Sequence, residues 1–271
     1  MRKCYYIALL CLLSLYVISS YLKLELSIQK NEITIFLVTP TYARHTQVAD
    51  LVRFCNAISH VPKLHWIIVE DSNNNTEAVS GVVRRCPVRS TLLCATSPKN
   101  RRIRGSNQRN EGLNWIRNHT IWPEHKAVVY FADDDNTYDP RIFEEMRTTV
   151  RGSTWPVGLV GGRIREGCLT NGSDRTKIIG FDAIFRRNRK FPIDMAGFAV
   201  NVELIHRYPN AHFDYVHENL QEGLILYKLG FKNAYELEPK ANGCREVLVW
   251  HTRTQPFNIF QPRRKPAVVH H

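Results

Sequence analysis

The chain has 271 residues, of which 44% are apolar and 23% charged; that balance is of a folded globular protein and excludes a largely disordered one. The length suits one α/β domain of ordinary size. A formal charge of +12 selects anionic partners, but the basic residues are dispersed and accompany no zinc-finger, homeodomain or RNA-recognition signature, so the surplus points to a phosphorylated small molecule and away from nucleic acid.

Tyr5 to Leu22 is an uncharged, mostly apolar run behind Arg2 and Lys3. It has about the minimum length for one membrane span, and no small-residue cleavage site follows it. The expectation is a cytosolic tail over residues 1–4, an uncleaved signal anchor over 5–22 and a short stem over 23–32, with the rest of the chain lumenal. A removed signal peptide is the alternative, and it sends the body to the same compartment. Asn74, Asn118 and Asn171 stand in Asn-x-Ser/Thr sequons, which are glycosylation acceptors there. Beyond Cys4 and Cys11 of the anchor region remain Cys55, Cys86, Cys94, Cys168 and Cys244. None has close zinc-type spacing, so one or two disulfides are expected, with at least one thiol left over.

From Ile33 onward, apolar runs alternate with stretches of helical spacing. Strands are predicted at Ile33–Val38, Trp66–Val69, Leu92–Ala95 and Val128–Ala132, and helices at Thr46–Ile58, Thr76–Arg85 and Asn107–Ile116. Such alternation predicts a largely parallel, doubly wound sheet. Residues 33–139 form this nucleotide-binding half. The second half, residues 140–256, offers strands at Gly158–Val160 and Val247–His251 and helices at Arg141–Arg151 and Leu220–Leu229. It reads as a mixed extension of the same sheet. Residues 257–271, with Pro262 and Pro266 around Arg263, Arg264 and Lys265, read as an irregular tail.

Three polar turns follow predicted strands: Pro40-Thr41-Tyr42, Glu70-Asp71 and Asp133-Asp134-Asp135. Parallel sheets place their ligand crevice at the carboxyl ends of the strands. Asp71 could accept from a base or ribose and Tyr42 could pack on a ring; an ordinary turn and a helix cap explain the same residues. Three consecutive carboxylates after Val128-Val129-Tyr130-Phe131 repel one another unless a cation or donors compensate. Oxygen ligands suit Mg²⁺ or Mn²⁺ with diphosphate oxygens, and a solvated turn is the bland alternative. The basic segment from Lys99 to Arg109, containing Arg104, suits a diphosphate, although solvated basic loops are commoner. Asp194, Glu222 and His251 would not be selected on chemistry alone: Glu222 reads as a first-turn acid and His251 as a strand-end histidine.

The segments Thr39–Arg44 (TPTYAR), Leu64–Asp71 (LHWIIVED), Tyr130–Tyr138 (YFADDDNTY), Trp155–Gly162 (WPVGLVGG), Phe191–Val200 (FPIDMAGFAV) and Val247–Thr254 (VLVWHTRT) closely resemble the animal β-1,3-glucuronosyltransferases. The resemblance runs in order from about residue 33 to 256. It implies a GT-A nucleotide-diphospho-sugar transferase fold, Rossmann-like and mostly parallel, with a mixed acceptor-binding half. It also implies an inverting enzyme, resident as a single-pass type II protein and homodimer in the Golgi membrane, that uses Mn²⁺ to move glucuronic acid from UDP-glucuronate onto a galactose-terminated glycan.

Carried over by motif, Asp135 ligates the metal, and Pro40, Thr41, Tyr42, Asp71, Arg104, Arg109, Asp133, Asp134, His251 and Arg253 bind the donor. Glu166, Arg189 and Asp194 hold the acceptor, and Glu222 is the catalytic base. The chain departs from the family at His217-Glu218-Asn219-Leu220-Gln221, where relatives carry Arg or Lys a few residues before that base, and in its short stem. Another donor such as UDP-xylose, or a silent sugar-binding subunit, are the competing readings.

Overall fold

The computed structural model describes residues 12–20, 33–98, 105–217 and 220–255. Residues 12–20 are helical (α1) and expose Leu12, Leu13, Leu15, Tyr16, Val17 and Ile18. The remainder of the predicted anchor, the stem and residues 257–271 lie outside the described residues, and among those described no helix is long and apolar enough to cross a membrane.

The first half alternates as its periodicity predicts: β1 (Thr34–Thr41), α2 (Gln47–Ile58), β2 (Leu64–Glu70), α3 (Glu77–Arg85), β3 (Arg89–Cys94), α4 (Ser106–His119) and β4 (Ala127–Phe131). Strands β1, β2, β3 and β4 are mutually parallel. The runs of β1, β2 and β4 are mostly apolar because both sheet faces are covered there, whereas β3 is an edge strand that opens on Arg89, Ser90 and Thr91 and is partly exposed. One set of side chains, including Phe36, Val38, Val69 and Val129, packs on Leu113 and Ile116 of α4. The alternate set, including Ile35, Leu37, Ile68 and Val128, packs on Leu51, Phe54 and Ile58 of α2. The two faces follow from the two-residue period of a strand. A Cys55–Cys86 disulfide ties α2 to the end of α3, and Cys94 is a free, exposed thiol.

The second half adds β5 (Thr137–Tyr138), α5 (Arg141–Met146), β6 (Gly152–Thr154), β7 (Val157–Gly158), β8 (Arg165–Thr170), β9 (Ile178–Asp182), β10 (Phe198–Asn201), α6 (Val202–Arg207), α7 (Gln221–Lys228), β11 (Glu238–Pro239), the short turn α8 (Ala241–Cys244) and β12 (Val249–Trp250). Only part of it extends the first sheet, whose order is β11-β6-β10-β4-β1-β2-β3 with β10 antiparallel to its neighbours. The strands predicted around Gly158 and Val249 belong instead to a second sheet, β5-β12-β7-β8-β9. Pro156, which has no N–H to continue a ladder, stands between β6 of one sheet and β7 of the other. Gly167, at φ 151°, accommodates that corner, since a Cβ there would lie 2.6 Å from Pro156 Cα. A second disulfide, Cys168–Cys244, joins β8 to α8.

Three elements are markedly shorter than predicted, among them the strand expected over Val247–His251, which forms only Val249–Trp250. The helix expected through Arg151 stops at Met146, because Arg147 turns fully inward and caps the carbonyls of Ile33 and Pro62. The strand expected through Val160 stops at Gly158, because Leu159, Gly161 and Gly162 all take positive φ.

Candidate active site

The carboxyl ends of β1, β2 and β4 open onto one cleft of about 1010 Å³. It gathers Pro40, Thr41, Tyr42, Asp71, Arg109, Asp133, Asp134, Asp135, Glu166, Arg189, Asp194, Glu222, His251 and Arg253. Fourteen of the fifteen non-glycosylation residues singled out in the sequence therefore share one space. Arg104 lies outside the described residues, as does Glu218. Asn74, Asn118 and Asn171 lie away from the cleft, all exposed.

The β2 turn separates into two roles. Glu70 is buried, and its carboxylate accepts from the backbone N and Oγ1 of Thr76, so it serves the start of α3. Asp71 faces the cleft and accepts from the backbone N of Ser97 at 2.8 Å and from Ser97 Oγ at 2.7 Å. Gln108 Nε2 donates to Ser97 Oγ and Ala95 O, which fixes the loop after β3 against Asp71. Each Asp71 oxygen keeps a second lone pair for a ligand.

Within the acidic turn, the three carboxylates are compensated differently. Asp133 accepts from Arg109 Nη2 at 2.5 Å. Buried Asp134 accepts from Arg44 Nη2 at 2.7 Å and Thr41 Oγ1 at 2.6 Å. Burial outweighs those partners and lifts the Asp134 carboxyl to about 6. Asp135 makes no ion pair among the described residues, and burial, reinforced by repulsion from Asp133, raises its carboxyl above the ordinary range. Next to it, the buried Asn136 Oδ1 has no hydrogen-bond partner among the described residues. Oxygen donors in surplus at one turn suit a hard divalent cation. Among the described residues no cluster of three or more His, Cys, Asp or Glu side chains able to hold one exists.

Across the cleft, Glu222 opens α7. Burial pushes its carboxyl up to about 7, and the nearby Asp194 adds to the shift, while Arg189 and Arg109 oppose it. Asp194 accepts from the Ala196 backbone N at 2.9 Å and faces His251 Nδ1 at 3.9 Å; burial raises its carboxyl. The start of α7 is pinned by Gln221, whose Oε1 accepts from Ser106 Oγ and the Asp214 backbone N. The N-termini of α4 and α7 therefore meet at the cleft, where their free N–H ends favour anions.

The far wall is held by Glu166 and Arg189. Glu166 Oε1 accepts from the Ile184 backbone N at 2.8 Å. Gly161 is required opposite it, since a Cβ there would sit 2.3 Å from Glu166 Oε1. Arg189 donates to the carbonyls of Phe185, Phe191 and Ile193, so much of its guanidinium shapes the wall. Sequence reasoning gave no role to Arg44, Asp50, Ser97, Gln108, Gln221 or Thr254, which also line the cleft. Arg44 stands inside the TPTYAR segment, the one signal that could have marked it.

The chain is 41% identical over 251 residues to the galactosylgalactosylxylosylprotein 3-beta-glucuronosyltransferase of Caenorhabditis elegans, covering 88% of this chain and 69% of that protein. It is 43% identical to human galactosylgalactosylxylosylprotein 3-beta-glucuronosyltransferase 1, covering 82% and 69%, and 44% identical to the Drosophila melanogaster protein I of the same name, covering 83% and 78%. Among solved structures, Staphylococcus aureus TarS 1–349 superposes with a TM-score of 0.52 at 12% identity over 81% of this chain, which spans 60% of that one. The UDP complex of TarS 1–349 gives 0.51 at 13%, again covering 81% and 60%. These two likenesses show a shared glycosyltransferase fold, in agreement with the α/β architecture expected from the sequence. Residues 54–255 match the sequence profile of glycosyltransferase family 43, and the chain is an enzyme of that family.

Proposed function

We propose that the chain transfers glucuronic acid from UDP-glucuronate to the 3-hydroxyl of a terminal β-galactose, with Glu222 as general base. The observation that carries this reading is the placement of Glu222, a carboxyl raised to about 7, across one cleft from the acidic turn Asp133-Asp134-Asp135. A base poised near the working pH is what abstraction of a hydroxyl proton needs.

In this reading uracil lies toward Asp71, Pro40, Thr41 and Tyr42, and ribose and sugar lie toward Asp133, Asp134 and Arg109. His251 and Arg253 take the diphosphate-glucuronate end. Mn²⁺ held at Asp135 would supply positive charge for the departing diphosphate. Glu166, Arg189 and Asp194 orient the acceptor galactose, and Glu222 removes its 3-hydroxyl proton as that oxygen attacks the anomeric carbon from the face opposite UDP. One displacement inverts an α-linked donor to a β product, and the proton resides on Glu222. Golgi residence, a type II anchor within Tyr5–Leu22, a homodimer and glycans on Asn74, Asn118 and Asn171 belong to the same proposal.

Glu222→Gln tests it, because the amide keeps the shape and cannot accept the proton. The expected loss is about 10²–10⁴-fold in kcat with UDP affinity unchanged. Near-normal kcat in this variant would show that the base lies elsewhere.

A further inference from the structure

Asp50, in the first turn of α2, is fully buried, yet it is a charged residue with no part in the proposed chemistry. Two hydrogen-bond donors and a further guanidinium converge on it. Arg44 Nη2 reaches Oδ2 at 2.9 Å, and the same nitrogen reaches Asp134 Oδ1 at 2.7 Å. Arg53 Nη2 lies 3.2 Å from Oδ1 and donates to the Asp135 backbone O at 2.8 Å. Thr254 Oγ1 donates to Oδ1 at 2.5 Å and accepts from Arg53 Nη1 at 2.9 Å.

The chain after β12 is thus laid back over the acidic turn. Thr252 Oγ1 adds a bond to the Asp135 backbone O at 2.7 Å, and His251 N bonds to Gly158 O at 2.9 Å. Arg253, which lines the cleft and is exposed, is held between Thr252 and Thr254 by these contacts.

We infer that Asp50 is a positioning residue for donor binding, latching the 251–254 strap and orienting Arg44 and Arg53 against the Asp134-Asp135 backbone and side chain. The inference rests on the donor reading given above. A carboxylate is needed because the Arg44 guanidinium and the Thr254 hydroxyl donate to its two oxygens while the Arg53 guanidinium lies 3.2 Å away, and an amide would replace one of those oxygens by a donor. Loss of the latch frees Arg253 on the donor side, whereas His251 keeps its backbone bond to Gly158 and the acceptor residues Glu166, Arg189 and Asp194 keep their own backbone partners.

The test uses calorimetric titration of UDP with Mn²⁺ into the wild-type chain, Asp50→Asn, Thr254→Val and the double variant, alongside donor and acceptor KM. The expected result is UDP binding weakened about 5–20-fold in each single variant. The double variant should be no weaker than Asp50→Asn, since both changes break one network, and acceptor KM should stay unchanged. Additive losses, equal effects on donor and acceptor KM, or Thr254→Val binding UDP like wild type would each overturn the inference. Thr254→Val decides the matter alone if Asp50→Asn fails to fold. A wild-type chain that binds no UDP would overturn the donor reading itself, and this inference with it.

Discussion

Among the raised carboxyls of the cleft, Glu222 is the one assigned as base, and Asp134, at about 6, titrates below it. The Glu222 carboxyl is shifted from an ordinary 4.5 to about 7 by burial and by Asp194. As a base it works only when deprotonated, so kcat/KM should rise with pH and level off above about 7 in the free enzyme. The same shift has a stability sign. Between 4.5 and about 7 the folded state holds a proton that the unfolded chain has released, so Glu222 weakens folding progressively as pH rises through that window. Glu222→Gln should accordingly melt higher than wild type at alkaline pH and no higher in acid. Scanning calorimetry across pH checks this without any substrate, and equal shifts at both ends would contradict the assignment. Asp135 gives the second residue-scale prediction: chelation of divalent ions should abolish transfer, Mn²⁺ should restore it, and Asp135→Ala should match the chelated enzyme. Transfer undiminished in chelator would remove Asp135 from the metal role. The acidic turn was legible because three adjacent carboxylates after an apolar strand demand compensation. Glu222 and His251 were not legible as chemistry, since a first-turn acid and a strand-end histidine have ordinary explanations; only their resemblance to a family marked them. Arg44 and Asp50 were missed because their partners, Asp134 and Thr254, lie far along the chain.

At the scale of elements, the cleft depends on α4 seating closely on β1. Gly112 makes that approach: a Cβ there would lie 2.5 Å from Val38 Cγ1. Gly112→Ala should overpack this contact and lower stability by about 1–3 kcal/mol, read as a fall in denaturant midpoint, while donor KM per folded molecule is retained. An unchanged midpoint would show that the helix shifts freely. The first-half elements were readable because strands covered on both faces give continuous apolar runs and the intervening helices give clear spacing. The second half was read less well. Strands β7 and β12 are two residues each, too short to show alternation, and their membership in a separate sheet depends on the corner at Pro156 and Gly167, which no periodicity encodes. The staple of Arg147 likewise ends a helix whose pattern would have continued.

For the whole molecule, two sheets meet so that the carboxyl edge of the parallel strands and a second wall share one cleft, with α4 and α7 presenting their N-termini between them. The surplus of positive charge suits an anionic donor, and the proposal turns on which anionic sugar that donor carries. The most direct measurement is to incubate the full chain with a β-galactoside and Mn²⁺, offering UDP-glucuronate and UDP-xylose separately, and to determine the product linkage by NMR. The expected product is a glucuronosyl group joined β to the galactose 3-hydroxyl, formed from UDP-glucuronate and lost with Glu222→Gln. A xylosyl product, or a glucuronosyl product with α configuration, would contradict the proposal.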